Sequence, residues 1–237
     1  MPRKIALTTG PSIFQENVHE MIENYFGWNY IYCLNNNKEN LDELVEKSDI
    51  YFGGGGRDVF PATYGSSLLK GENMENFDRM RDLREIYLIK KFIEAGKPIA
   101  GVCRNFQLYC ASFLKLTLTD INFANSTIVH SASSSGIKLN DDEKEFVHTI
   151  KLLENGEDYW INSAHHMGIF LPKQQNISNN IEIVATAELG GDKNPKIIEW
   201  IKCEKHKANF CQWHPEVIWK TNEASQMFLE QVKEMVG

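Results

Sequence analysis

The stretch AGKPIAGVCRNFQLYCA, residues 95–111, leaves a helix, crosses a short apolar run and enters a second helix, with a cysteine at the junction. Gly96 suits a helix C-terminal cap, and Pro98 cannot prolong the helix before it. PIAGV then reads as a buried strand. A nucleophile raised on a strand-to-helix turn needs a strained backbone, which small or left-hand-tolerant neighbours two residues to either side relieve. The frame here is Gly101-Val102-Cys103-Arg104-Asn105. Glycine meets the first requirement; at the second stands asparagine, the non-glycine residue that best tolerates the left-handed region. The competing reading makes Cys103 a small core residue, as free cysteines most often are.

The chain upstream has a regular alternation. KIALTT (4–9), NYIYCL (29–34) and DIYF (49–52) read as strands, with helices over 15–26 and 41–47 between them. In ENFDRMRDLREIYLIKKFIEAG (75–96), Phe77, Met80, Leu83, Tyr87, Ile89 and Phe92 fall near helical spacing. Such β-α-β-α-β order predicts an α/β fold with a mostly parallel sheet covered by helices on both faces, whose ligands gather at the carboxyl ends of strands. Two stretches fall there: Gly53 to Gly56 after DIYF, and Cys103 after PIAGV. Beyond about residue 116 the pattern changes to short β-like segments, EFVHTIKLL (145–153), DYWINSA (158–164), IEIVATAEL (181–189), KIIEWIKC (196–203) and ANFCQW (208–213). An amphipathic helix from about Asn222 closes the pattern, and Ser- and Asn-rich loops lie at 131–135 and 174–180.

Composition narrows the class. The 237 residues suffice for one sizeable domain, taken as 1–237, and 42% hydrophobic with 24% charged residues is the balance of a globular protein. No apolar run approaches the roughly 20 residues that span a bilayer, and the opening residues lack a secretory apolar segment. The expectation is a cytoplasmic protein with no membrane partner. The five cysteines include no C-x-x-C pair, so reduced thiols are expected rather than a disulfide framework or zinc ribbon. A net charge of −7 argues against nucleic acid as a partner while leaving room for a small anionic substrate.

CQWHPE, residues 211–216, changes the weighting at Cys103. His214 and Glu216 stand two apart at a strand end, so both side chains can lie on one side of an extended segment. The histidine could take the thiol proton while the glutamate orients its ring; taken alone, His214 reads first as a residue closing a strand before Pro215. The Gly53–Gly56 loop lacks the Lys-Ser/Thr ending of a phosphate loop, and RDVFP opens a helix poorly. A plain turn or a set of oxyanion donors remains.

Four segments in order resemble class I glutamine amidotransferases, and within them the γ-glutamyl hydrolase branch: DIYFGGGGRDVFPATYG (49–65), FDRMRDLREIYLIKKFIEAGKPIAGVCRNFQ (77–107), INSAHHMGI (161–169) and CQWHPE. The resemblance implies a flavodoxin-like three-layer sandwich, with a mostly parallel central sheet and appended β hairpins. It implies a Cys103, His214, Glu216 triad that cleaves a γ-glutamyl amide in a small metabolite through a glutamyl thioester. The oxyanion donors would be the Arg104 N–H and Gly56, or Gly55 if the loop is shifted. Gln107, Ser163, His165 and His166 match positions that contact the glutamyl group. Adjacent histidines on a strand point to opposite faces, so neither a metal nor any other cofactor is expected. Two other functions fit the same motifs: a glutaminase subunit feeding ammonia to a synthase partner, and a catalytically degenerate binding protein. A homodimer is compatible with any of them. Asn105 stands where the family has glycine, Met167 where glutamine is common, and SFLKLTL (112–118) where a glycine pair is usual.

Overall fold

Continuous apolar runs give the central strands two buried faces, and this dictates the layering. The structure is a computed structural model that describes residues 2–33, 40–67, 74–121, 148–171, 180–188 and 196–237. Its elements run β1 (Ile5–Thr9), α1 (Gln15–Met21), β2 (Asn29–Cys33), α2 (Leu41–Lys47), β3 (Ile50–Gly53), α3 (Arg79–Glu94), β4 (Ile99–Val102) and α4 (Arg104–Phe113). There follow β5 (Thr119–Asp120), β6 (His148–Leu152), β7 (Asp158–Ile161), β8 (Met167–Gly168), β9 (Ile181–Glu188), β10 (Lys196–Cys203), β11 (Ala208–Cys211), α5 (Pro215–Ile218) and α6 (Glu223–Val236). Ala6, Ile50, Phe52, Ala100 and Val102 pack with residues of α1 and α6, such as Val18, Met21, Phe228 and Leu229. Leu7, Tyr51 and Ile99 face the other way, toward Leu44 of α2, Leu88 and Phe92 of α3, and Phe106 of α4. Helices therefore cover both faces, giving the three layers expected of the alternation.

Among the described residues one sheet has nine strands in the order β2-β1-β3-β4-β11-β10-β9-β6-β7, while β5 and β8 pair separately. The five strands from β2 to β11 are parallel to their neighbours. From β11 onward every pairing is antiparallel, which makes the C-terminal strands the hairpin extension anticipated from their short, evenly spaced segments. Strand β11 is the seam. It pairs Phe210 with Gly101 and Cys211 with Val102 on one side, and Trp200 with Cys211 on the other.

Several local readings hold in detail. Helix α3 ends in a paired cap, with Gly96 N–H donating to Ile93 O at 3.0 Å and Lys97 N–H to Phe92 O at 3.0 Å. Asn222 caps α6 by accepting from Ser225 N–H at 2.8 Å. The helix expected over 15–26 is α-helical only to Met21 and continues as a π-helical turn over Ile22–Phe26. The 131–135 loop, most of the 174–180 loop and residues 145–147 lie outside the described residues. No described helix is long and apolar enough to cross a membrane.

Periodicity found α3 but not its buried face. Met80 and Leu83 are 68% and 54% exposed, whereas Arg81, Asp82 and Glu85 are buried beside Leu88, Ile89 and Phe92. A charged row enters the interior because it pairs with itself and with α4.

The turn into α4 is built differently from the expectation for Asn105. Cys103 alone carries the strain, at φ 50° and ψ −110°, while Asn105 is a regular residue in the first turn of α4 and has no positive φ. Its left-hand tolerance is unused. What the position demands is room, and facing glycines of β3 and β4 supply it. A Cβ on Gly53 would sit 2.0 Å from Asn105 Cγ, and one on Gly101 would sit 2.6 Å from Asn105 Oδ1. Into that space Asn105 Nδ2 donates to the Tyr51 hydroxyl at 2.9 Å and to Glu85 Oε2 at 3.1 Å. Gly53→Ala should therefore destabilise the protein by about 1–3 kcal/mol, as overpacking of a tight interior does. In a urea titration, adding Asn105→Gly to that variant should restore part of the loss, although Asn105→Gly alone is destabilising.

Candidate active site

The carboxyl ends of β3, β4 and β11 converge on Cys103. Its own N–H donates to Cys211 O at 2.9 Å, which ties the turn to β11, and its carbonyl accepts from Gln107 N–H at 3.1 Å as α4 begins. The first N–H of that helix, on Arg104, has no acceptor within the helix and stands next to the thiol. Cys103 is 5% exposed.

His214 follows β11 and precedes the short α5, whose first residue is Pro215. Asn162, just beyond β7, brackets its backbone: His214 N–H donates to Asn162 Oδ1 at 3.0 Å, and Asn162 Nδ2 donates to His214 O at 2.9 Å. The ring Nδ1 lies 2.7 Å from Glu216 Oε1, and Phe14 packs edge-on against the ring at 4.7 Å between centroids. Since Nδ1 is taken, Nε2 is the nitrogen left for Cys103, whose thiol lies close enough to act on the imidazole electrostatically. Gly55 lies against the same pair. A Cβ there would be 2.7 Å from His214 Cε1 and 3.6 Å from Cys103 Cβ, so only glycine leaves the space in front of them open. Burial works against a charged imidazole here, but Cys103 and Glu216 together outweigh it and raise His214 to about 10.

Beneath this group lies a buried ionic network. Glu85 accepts from Arg81 Nε at 2.7 Å, from Thr9 Oγ1 at 2.7 Å and from Asn105 Nδ2 at 3.1 Å, and it also pairs with the Arg104 guanidinium. Arg104 pairs in addition with Asp82. Burial pushes the Glu85 carboxyl up, and the two arginines reverse the effect and hold it at about 2.

The remaining sequence candidates separate. Gln107 is 3% exposed and donates from Nε2 to Met167 O at 3.0 Å and Gln212 Oε1 at 3.2 Å, placing it behind the elbow rather than on the surface. Ser163 and His165 are buried, and His165 Nδ1 lies 2.9 Å from Met167 O while its Nε2 faces Glu199 at 3.7 Å. Burial raises Glu199 to about 7 against the pull of His165, and burial lowers neighbouring His148 to about 3. His166 turns outward instead. Its Nε2 lies 3.0 Å from Asp58 Oδ2 and its Nδ1 3.4 Å from Asp120 Oδ2, and the hydrogen bond to Asp58 leads the effects that raise it to about 9. The two histidines diverge as expected, although the segment between β7 and β8 is irregular rather than a continuous strand. Among the described residues no group of three or more His, Cys, Asp or Glu side chains is placed to hold a metal ion. Asn162, Arg81 and Glu85 support the site without having been singled out in the sequence.

A sequence profile of the family described as Peptidase C26 matches residues 3–216. The chain belongs to that family. Among curated proteins it is 28% identical over 192 residues to the glutamine amidotransferase-like protein YvdE of Lactococcus lactis, covering 81% of this chain and 76% of that one. It is 27% identical over 237 residues to a glutamine amidotransferase-like protein of Rickettsia prowazekii, covering 82% of this chain and 80% of the relative. Among solved structures it resembles a glutamine amidotransferase from Thermotoga maritima, with TM-score 0.61 and 13% identity over 100% of this chain and 99% of that one. It also resembles a GMP synthase subunit from Thermoplasma acidophilum, with TM-score 0.64 and 11% identity over 100% of this chain and 95% of the other. The Peptidase C26 chain thus has the class I glutamine amidotransferase-like fold, with a large α/β sheet as its centre.

The Glu85 network has a pH signature. A carboxyl held below its ordinary value of about 4.5 stabilises the folded state above that pH, and the gain is lost as pH falls through about 2. Glu85→Gln leaves Arg104 with only Asp82, so it should cost about 3–5 kcal/mol near neutrality. Measured by urea unfolding, the gap between wild type and Glu85→Gln should narrow steadily from pH 4.5 toward 2.

Proposed function

We propose that this protein is a cysteine hydrolase of γ-glutamyl amides, with Cys103 as nucleophile, His214 as proton carrier and Glu216 as the group that orients the ring. The observation that carries this reading is the strained Cys103 at the head of α4, set with His214 against Gly55, while Nδ1 of that imidazole rests on Glu216. A structural cysteine in the core needs neither the positive φ nor the buried His-Glu pair.

In this mechanism Cys103 Sγ attacks the γ-carbonyl carbon, and the negative charge moves to the carbonyl oxygen. The Arg104 N–H, with Gly56 or Gly55 N–H from the glycine loop, receives that oxyanion. His214, carrying the proton shared with Cys103, protonates the amine nitrogen as the C–N bond breaks and a γ-glutamyl thioester remains. Water then attacks the thioester, giving its proton to His214, and the C–S bond breaks to release glutamate and restore the thiol. The buried segment with Gln107, Ser163 and His165 forms the glutamyl side of the pocket in this reading, whereas His166 is engaged by two carboxylates and contributes to the rim.

Purified protein should release glutamate from a panel of γ-glutamyl amides that includes glutamine, and Cys103→Ala should lower the rate by about 10⁴-fold or more. A γ-glutamyl adduct on Cys103 should be visible by mass spectrometry after rapid acid quenching. Because Cys103 and Glu216 outweigh burial and raise His214 to about 10, above its ordinary 6.5, kcat/KM should fall as pH rises through about 10, where the acid for the leaving amine is lost. A flat alkaline limb, or no glutamate from any member of the panel, removes the reading.

A further inference from the structure

The loop between β3 and the α3 region is a run of four glycines, Gly53 to Gly56, and glycines have no side chains with which to fix their peptides. Arg81 does that work from outside the loop. Its guanidinium is buried, and Nη2 donates to Gly55 O at 2.9 Å and to Gly54 O at 3.3 Å. Nη1 donates to Pro11 O at 2.7 Å, and Nε is held by Glu85 Oε1 at 2.7 Å. Its own backbone N–H is fixed by the Asp78 cap at 3.0 Å. Gly56 has φ +148°, and a Cβ there would lie 2.2 Å from Arg81 Nη1, so the loop closes on the guanidinium at a position where only glycine fits.

Peptide planarity carries the consequence across the loop. In a trans peptide the carbonyl and the N–H point in opposite directions. With the Gly54 and Gly55 carbonyls turned to Arg81, the N–H groups of Gly55 and Gly56 turn away from it. The α-carbon between them presents its open side to His214 and Cys103. Building on the hydrolase reading, we propose that Arg81 is a positioning residue for the oxyanion loop: it anchors two carbonyls on the buried side and so keeps the loop amides available as donors when Cys103 attacks. Glu85 aims the guanidinium, and the Pro11 contact extends the same anchor to the loop after β1. A lysine at this position could keep the charge, but a single ammonium cannot reach Glu85, Pro11, Gly54 and Gly55 in the fork geometry of arginine.

The test compares wild type, Arg81→Lys and Arg81→Met on γ-glutamyl-p-nitroanilide, together with the rate at which iodoacetamide alkylates Cys103. Alkylation is a displacement at a saturated carbon and develops no oxyanion, so it reports on the Cys103–His214 pair alone. The expected result is a loss in kcat of about 10²–10³-fold in both variants, the size seen when an oxyanion donor is removed. KM and the alkylation rate should stay within about threefold of wild type. A crystal structure of Arg81→Lys should show a Gly54–Gly55 or Gly55–Gly56 peptide rotated from its present orientation. Unchanged kcat, kcat and alkylation falling together, or loop peptides left in place would each overturn the proposal. If Arg81→Met does not fold, Arg81→Lys decides. If wild type cleaves no γ-glutamyl amide at all, the hydrolase reading fails by itself, and the peptide orientation in the Arg81→Lys crystal then decides whether arginine clamps the loop.

Discussion

A single buried carboxylate, that of Glu85, joins the parts that surround Cys103. It accepts from Thr9 at the end of β1, from Arg81 on its own helix, and from Asn105 and Arg104 at the start of α4. Desolvation alone would make such a charge expensive, and a packed apolar cluster could match it in stability. An apolar cluster could not also hold a guanidinium against the glycine loop and an amide beneath the elbow. The cost of burying charge is thus offset in geometry: β1, the glycine loop and the strand-to-helix turn are referred to one side chain, and their relative positions follow from hydrogen-bond directions rather than from packing alone.

The layer architecture was legible because its signals are local. Apolar strand segments of length four or five, separated by helical spacing and turn residues, announce a doubly covered sheet, and evenly spaced β segments announce hairpins. The cap at Gly96 and the start of the last helix near Asn222 were likewise readable from a few adjacent residues. The order of strands was not, since nothing in ANFCQW states that β11 enters between β4 and β10. The buried face of α3 was misleading for a physical reason: Arg81, Asp82 and Glu85 look like a solvated face unless their partners on α4 and the glycine loop are known. Asn105 illustrates the same limit. Its residue type suggested backbone tolerance, whereas its role comes from space left by Gly53 and Gly101 on two other strands.

The site separates along the same line. Cys103, His214 and Glu216 stand in short motifs that single them out, and the fold brings them together, Cys103 and His214 beside Gly55 and Glu216 on the far side of the ring. The adjacent histidines were expected to part company, and they do, one toward Glu199 and the other toward Asp58 and Asp120. Asn162, which brackets the backbone of His214, lies within INSAHHMGI (161–169) but gives no sign of its task, because an asparagine after a strand most often serves the turn it sits in.

The placement of β11 has a consequence for how the chain acquires its chemistry. This strand follows every other described strand in sequence yet occupies the interior of the sheet, with β4 on one side and β10 on the other. The segment bearing Cys103 precedes this strand in the chain, and His214 follows it. Cys103 and His214 therefore come together only through a pairing that is long-range in sequence, that of β11 with β4.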